Sequence, residues 1–261
     1  MIIDFSYKPR EGRPDLLEFA DVSFGYKRSR PVIRDFSYQV NPGVTVILGP
    51  NGAGKSTLLG LAASAFSPWS GSVCAAGRDS SRRGHRRAYR AAVGWLPQQV
   101  QVIPAFTVRE QVAYVGWLKG LGRAEAWERA GAVLDRLKLA DLAGSRVSRL
   151  SGGQLRRAGV AMALVHDASV ILMDEPTAGL DPAQRANFRR LVGEVSGMAD
   201  IVISTHQTED LAELAQSVVL LAEGEIRWDG PVAGFLAQGP PELAGSARAE
   251  VVYASLLGES E

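Results

Sequence analysis

Eight consecutive residues, Gly49, Pro50, Asn51, Gly52, Ala53, Gly54, Lys55 and Ser56, constrain this chain more than any other stretch. They fit the pattern G-x-x-x-x-G-K-[ST] and follow directly on Val44–Leu48, a short unbroken apolar run typical of a strand buried on both faces. The glycines let successive backbone N–H groups turn inward around phosphate oxygens. Lys55 can reach β- and γ-phosphate oxygens, and the Ser56 hydroxyl suits Mg2+. A helix starting near Gly54 aims its positive end at the same anion. Average residue frequencies would produce such a match in roughly one chain per hundred of this length. The strand before it and the helix after it make coincidence rarer still. The motif reads as nucleotide binding.

Two further buried runs follow, Val170–Met173 and Ile201–Ser204, with helix-period segments between them. After Pro182, the residues Phe188, Leu191, Val192 and Val195 fall on one helical face. Strand, helix and strand at this spacing predict a parallel sheet with helices on its faces. Upstream, Leu16–Phe24 and Val32–Val40 read as an antiparallel pair with one wet face, joined by a polar turn at Lys27–Pro31. The middle third differs. Val108, Val112, Val115 and Leu118 form one helical stripe, and Trp127, Ala130, Leu134 and Leu137 a second; no strand is expected between Gln98 and Leu150. A helix is also expected over Ala247–Leu257. The expected organisation is one domain over 1–261: an α/β core from 1–97 and 169–261 that includes the antiparallel strands, and a helical subdomain at 98–168.

Asp174 and Glu175 end the Val170 run. An acidic residue at a strand end beside a phosphate loop can hold the water shell of Mg2+, and the next carboxylate can polarise a water attacking in line. Without the phosphate loop, Asp-Glu-Pro would read merely as the close of a strand.

Composition narrows the partners. The chain of 261 residues carries 29 basic and 28 acidic residues, a net charge of +1, so no whole-molecule field for a polyanion exists and no nucleic-acid partner is expected. Cys74 is the single cysteine, which excludes an intramolecular disulfide or a cysteine-cluster zinc site and fits a reducing cytosol. The opening Met1–Phe5 does not read as a signal peptide. The longest apolar runs fall far short of the ~20 residues that span a bilayer. If the chain acts at a membrane, something else crosses it.

Leu150, Ser151, Gly152, Gly153 and Gln154 precede an apolar helix, Leu155–Val165, and lie ahead of the acidic strand. This arrangement resembles the signature of the ABC ATPases. The rest of the chain agrees: Tyr26 stands where that family places an aromatic on adenine, Gln98 in Trp95–Gln98 resembles the Q-loop glutamine, Ala178–Asp181 the D-loop, and Ser204–His206 the switch histidine. The resemblance spans roughly residues 20 to 230. It implies an α/β P-loop NTPase core with a mainly parallel sheet, an N-terminal antiparallel β subdomain and an inserted helical subdomain, with ATP and Mg2+ bound.

Ser151, Gly152 and Gly153 open a helix whose free N–H groups and hydroxyl can receive an anion. In the family that anion is the γ-phosphate of ATP on a second subunit. The resemblance places Glu175, His206, Lys55 and Gln98 in catalysis, and Ser56, Gln98 and Asp174 at the metal. It places Tyr26, residues 49–57 including Thr57, the Ser151–Gln154 turn, Asp174 and Asp181 around nucleotide. Because these motifs are intact, a homodimer with two working sites is favoured over a heterodimer.

Other residues have plainer readings. His206 alone would pass for a surface histidine, and His85 and His166 read as structural. Gln99 or Gln101 could replace Gln98 by a register error, and Phe24 could replace Tyr26, although Phe24 alternates with the buried face. The five tryptophans read as core or interface bulk. The basic run Arg82–Arg90 reads as a solvated face, the alternative being contact with anionic headgroups or an acidic loop.

The resemblance implies an ATPase subunit at the cytoplasmic face of a membrane, driving a separate transmembrane permease. Phe106–Val112 and Ser204–Leu211 resemble two-component bacterial efflux ATPases for drugs, peptides or lipids, which favours export over import. A soluble ABC ATPase of translation or DNA repair would typically carry two ATPase units or a long coiled-coil insertion. A P-loop kinase or GTPase would lack the Leu150–Gln154 signature.

Overall fold

The structure, a computed structural model, describes residues 17–258; the reading of Met1–Phe5 and the first strand residue expected, Leu16, lie outside them. The chain opens with β1 (Glu18–Phe24) and β2 (Ile33–Gln39), an antiparallel pair, and then β3 (Val44–Leu48). Next come α1 (Lys55–Ala62), β4 (Ser70–Ala75), β5 (Arg78–Asp79), α2 (Arg86–Ala92) and β6 (Val93–Leu96). A helical stretch follows: α3 (Val108–Leu118), α4 (Arg123–Arg136) and α5 (Gly152–Leu164). The remainder is β7 (Val170–Asp174), α6 (Pro182–Ser196), β8 (Asp200–Thr205), α7 (Leu211–Leu214), β9 (Ser217–Ala222), β10 (Glu225–Pro231), α8 (Val232–Leu236) and α9 (Gly245–Leu257).

Two sheets result. The larger has the order β10-β9-β3-β8-β7-β6, parallel except for the antiparallel hairpin of β9 with β10. The smaller, β2-β1-β4-β5, is antiparallel throughout. Every residue of β3 and β7 is buried, because helices or the second sheet cover both faces. The alternation of strand side chains then divides the core. Val46 and Leu48 of β3, with Ile171 and Met173 of β7, join the helices α5 and α6 in one layer. Ile47, Val170 and Leu172 face α1 and the antiparallel sheet in the other.

The α6 face is buried as its spacing predicts, at Phe188, Leu191, Val192 and Val195. The stripes on α3 and α4 need correction. Leu118 is 60% exposed and Trp127 is 41% exposed, while Gln111 and Gly116 on α3 and Ala126 and Val133 on α4 are buried. Helical periodicity fixes a face only to within a residue or so, and Gly116 is buried against Leu121 and Val165 rather than against α4.

Candidate functional site

The loop from β3 to α1 is shaped by close backbone approaches. A Cβ on Gly49 would lie 2.1 Å from the Leu221 carbonyl of β9, so only glycine lets the strand end pass there. Gly54 caps α1 at φ 104°, a left-handed conformation that disfavours a side chain. Lys55 turns back under the loop: its Nζ donates to the carbonyls of Gly49 at 2.6 Å and Pro50 at 3.0 Å, and stands 3.7 Å from Glu175 Oε1. Burial pushes the Lys55 ammonium below its ordinary pKa, and the charges of Glu175 and Asp174 oppose that shift.

The acidic pair closes β7. Asp174 Oδ1 accepts from Ser56 Oγ at 2.9 Å and from Ser204 Oγ at 2.5 Å. Glu175 sits at φ 46°, unusual for a residue with a Cβ, and its amide is held by the Ser204 carbonyl and hydroxyl, both at 3.1 Å. Ser204 therefore holds the Asp174 carboxylate and the Glu175 backbone. Sequence reasoning placed it at the end of the Ile201–Ser204 run and at the start of the histidine motif but gave it no role in the site; the signal available was a hydroxyl at the end of a strand neighbouring β7. His206 Nδ1 lies 3.0 Å from Glu175 Oε1.

These groups line one cleft of about 420 Å³: Tyr26, residues 51–57, Gln98, Glu175 and His206, with Val32 as an apolar wall that the motifs did not indicate. Tyr26 is 64% exposed, its ring propped edge-on by Phe24 and Phe66 and its hydroxyl 3.3 Å from Thr57 Oγ1. Phe24 is buried, and neither Gln99 nor Gln101 lines the cleft. Gly49 and Pro50 lie behind it, with their carbonyls on Lys55, and Asp174 lies beneath Ser56. A hydroxyl and one carboxylate suit Mg2+, a hard cation that keeps waters and takes its other ligands from phosphates. The described residues contain no cluster of three or more His, Cys, Asp or Glu side chains able to hold a metal by themselves.

Ser151, Gly152, Gly153, Gln154 and Asp181 do not line this cleft. Ser151 caps α5 in a reciprocal pair with Gln154, and Ser151 and Gly152 are exposed. Asp181 caps α6, accepting from the Gln184 amide at 2.8 Å and from its side-chain nitrogen at 2.6 Å. The same Gln184 carboxamide lies over Gly153, where a Cβ would be 2.6 Å from its oxygen. The two helix starts thus meet through Gln184.

The remaining histidines stand elsewhere. His85 Nδ1 is 3.4 Å from the Asp79 amide. His166 is buried, 3.3 Å from the Val93 carbonyl, and burial together with the nearby Lys119 charge pushes its pKa down to about 3. In the basic run, Arg82 pairs with Asp79, and Tyr89 is buried with its hydroxyl on the Ala62 carbonyl at 2.5 Å. Among the described residues no helix is long and apolar enough to cross a membrane.

A family model described as ABC transporter matches residues 33–178, more than half of the chain. The Nod factor export ATP-binding protein I of Paraburkholderia xenovorans is 35% identical over 223 residues, covering 85% of this chain and 72% of that protein. The phosphonates import ATP-binding protein PhnC of Anaeromyxobacter dehalogenans is 34% identical over 251 residues, covering 92% of this chain and 50% of that protein. Among solved structures, cbiO1 of Clostridium perfringens, described as part of the ABC transporter complex cbiONQ, matches with a TM-score of 0.76 at 26% identity, over 86% of this chain and 91% of that one.

Proposed function

This chain belongs to the ABC transporter family, and from that premise we propose that it hydrolyses ATP to power a separate membrane permease. The family's ATP-binding domains are ATPases, so the ATP-binding subunit of a transporter is the coarse identity; the residue roles, the coupling and the direction are our reading. The observation that carries it is the placement of Glu175 between Lys55 and His206 at the mouth of the phosphate loop.

In this reading adenine stacks on the exposed Tyr26 ring, and residues 49–57 surround the phosphates with backbone N–H groups. Lys55 exchanges the Gly49 and Pro50 carbonyls for β- and γ-phosphate oxygens. Ser56, Asp174 and Gln98 would hold Mg2+, whose charge would offset that of the phosphoryl oxygens. Glu175 polarises the attacking water, and His206 fixes the Glu175 carboxylate and hydrogen-bonds the γ-phosphate.

Ser151 and the exposed start of α5 lie outside this cleft, which supports a head-to-tail dimer in which they close a second subunit's nucleotide, with Asp181 reporting across the interface. Residues 98–168 form the helical signature subdomain, and the remainder forms the core. The permease places the chain at the cytoplasmic face of the membrane, without a nucleic-acid partner. Export is favoured by Phe106–Val112 and Ser204–Leu211. The two relatives above are named for export and for import, so neither direction comes from them.

The test is co-purification from its own cells with ATPase assay of what is recovered. A polytopic membrane protein that raises or lowers the ATPase rate is expected. Recovery with ribosomes or DNA sinks the transport reading.

A further inference from the structure

Helix α5 does more than present Ser151. Five residues into it, Arg156 reaches back across 58 positions of sequence to the segment that enters the cleft: its Nη1 donates to the Gln98 carbonyl at 2.8 Å and to the Pro97 carbonyl at 3.2 Å. Gln98 follows β6 and then Pro97, which has no N–H to extend the ladder, so strand pairing ends just before the glutamine.

One turn further on, Gly159 lies against the same segment. A Cβ there would be 2.5 Å from Leu96 Cδ1 and 3.1 Å from Val100 Cγ2, so α5 packs against both flanks of Gln98. Gly94 of β6 completes the contact, where a Cβ would be 2.3 Å from the Ala163 carbonyl of α5. Burial lowers the pKa of the Arg156 guanidinium while the Asp174 carboxylate acts against that shift, so the charge stands in the field of the site it supports.

We propose that Arg156 is a positioning residue for Gln98: it holds the Pro97 and Gln98 carbonyls so that the glutamine stands in the nucleotide cleft, and it makes α5 carry Gln98 and Ser151 as one body. The inference rests on the reading of Gln98 given above. Movement of the Ser151 turn, which lies outside the cleft, is then passed to a residue inside it through one rigid helix and one guanidinium. The guanidinium suits the task because one of its nitrogens reaches both carbonyls and its charge strengthens each bond.

The experiment is a double-mutant cycle on the full chain, reading ATPase rate against ATP and against Mg2+. Gln98→Ala, Arg156→Met and the double variant are compared with wild type. Arg156→Met is expected to lower kcat about tenfold, the scale seen for groups that orient a ligand from behind. The Mg2+ needed for half-maximal rate should rise several-fold, and KM for ATP should stay within about twofold. The double variant should be no slower than Gln98→Ala alone. If the two losses multiply, Arg156 acts independently of Gln98 and the proposal falls alone. If Gln98→Ala changes neither rate nor Mg2+ dependence, the reading of Gln98 falls and takes the proposal with it. Should Arg156→Met not fold, the cycle is run with Arg156→Gln, whose shorter and uncharged side chain gives up the paired contact, and wild-type kcat and Mg2+ dependence there overturn the proposal.

Discussion

His206 presents Nδ1 to both oxygens of the Glu175 carboxylate, 3.0 Å from Oε1 and 3.1 Å from Oε2. Lys55 stands on the other side at 3.7 Å, and the Glu175 amide is bound to Ser204. A carboxylate restrained at both its backbone and its side chain keeps its direction, which a group polarising a water requires.

Replacing that carboxylate by an amide keeps the shape and removes the base proposed above. Glu175→Gln is expected to bind ATP and to lose activity by a factor of about 10² to 10⁴. With ATP the variant should elute as a dimer in size-exclusion chromatography. Hydrolysis at the wild-type rate would show that Glu175 is not the base.

Ser151 lies outside the cleft of its own chain, so its loss should spare that chain's nucleotide binding. Ser151→Arg is expected to abolish turnover while the ATP Kd of the monomer, measured by calorimetry, stays near wild type. Parallel loss of both properties contradicts a site shared between subunits.

The exposed Tyr26 ring offers base stacking, worth about 1–3 kcal/mol per base. Tyr26→Ala is therefore expected to weaken ATP binding about tenfold to a hundredfold. Tyr26→Phe keeps the ring, gives up the 3.3 Å contact with Thr57, and should stay within about threefold of wild type. Equal Kd values for the alanine and phenylalanine variants would place adenine elsewhere.

His166 sets an acid limit. Its pKa falls from 6.5 to about 3 in the native fold, so below pH 6.5 the unfolded chain binds a proton that the native chain refuses. This contribution to stability is complete above pH 6.5 and declines as pH falls towards 3, with a slope approaching about 1.4 kcal/mol per pH unit. His166→Gln removes the titration, and its urea unfolding free energy should fall less steeply than that of wild type between pH 6 and pH 4, an interval of about two units in which the term acts. Parallel pH profiles would mean that His166 is not the group responsible.

The parts of the fold written as uninterrupted patterns were legible. Val44–Leu48 and Val170–Met173 are continuous apolar runs, and both are buried strands. The parts decided by neighbours were not. β4, Ser-Gly-Ser-Val-Cys-Ala, has little strand character and is held by pairing with β1. β9 carries an apolar run as plain as that of β3, yet it lies beyond the last motif and was not read as a strand. Trp127 lies over the Arg109 guanidinium at 4.2 Å to its ring centroid, a contact that hydrophobic periodicity cannot distinguish from burial. Within the cleft, motif residues were found because each has a characteristic type and spacing. Val32 and Ser204 were missed as site features because their importance comes from where strands place them.

The central strand of the larger sheet has consequences for how the chain is made. β3 is flanked by β8 and β9, so Gly43 must wait for a partner 157 positions later, and Gly49 for Leu221. A ribosome that has already delivered the phosphate loop has delivered neither neighbour of the strand that supports it. Such distant pairings close late and slow folding. ATP, however plentiful, can then steady this molecule only after synthesis has passed β9, because ligand stabilisation requires a native site to bind. Earlier in translation both edges of β3 lack the neighbours that cover them in the finished fold.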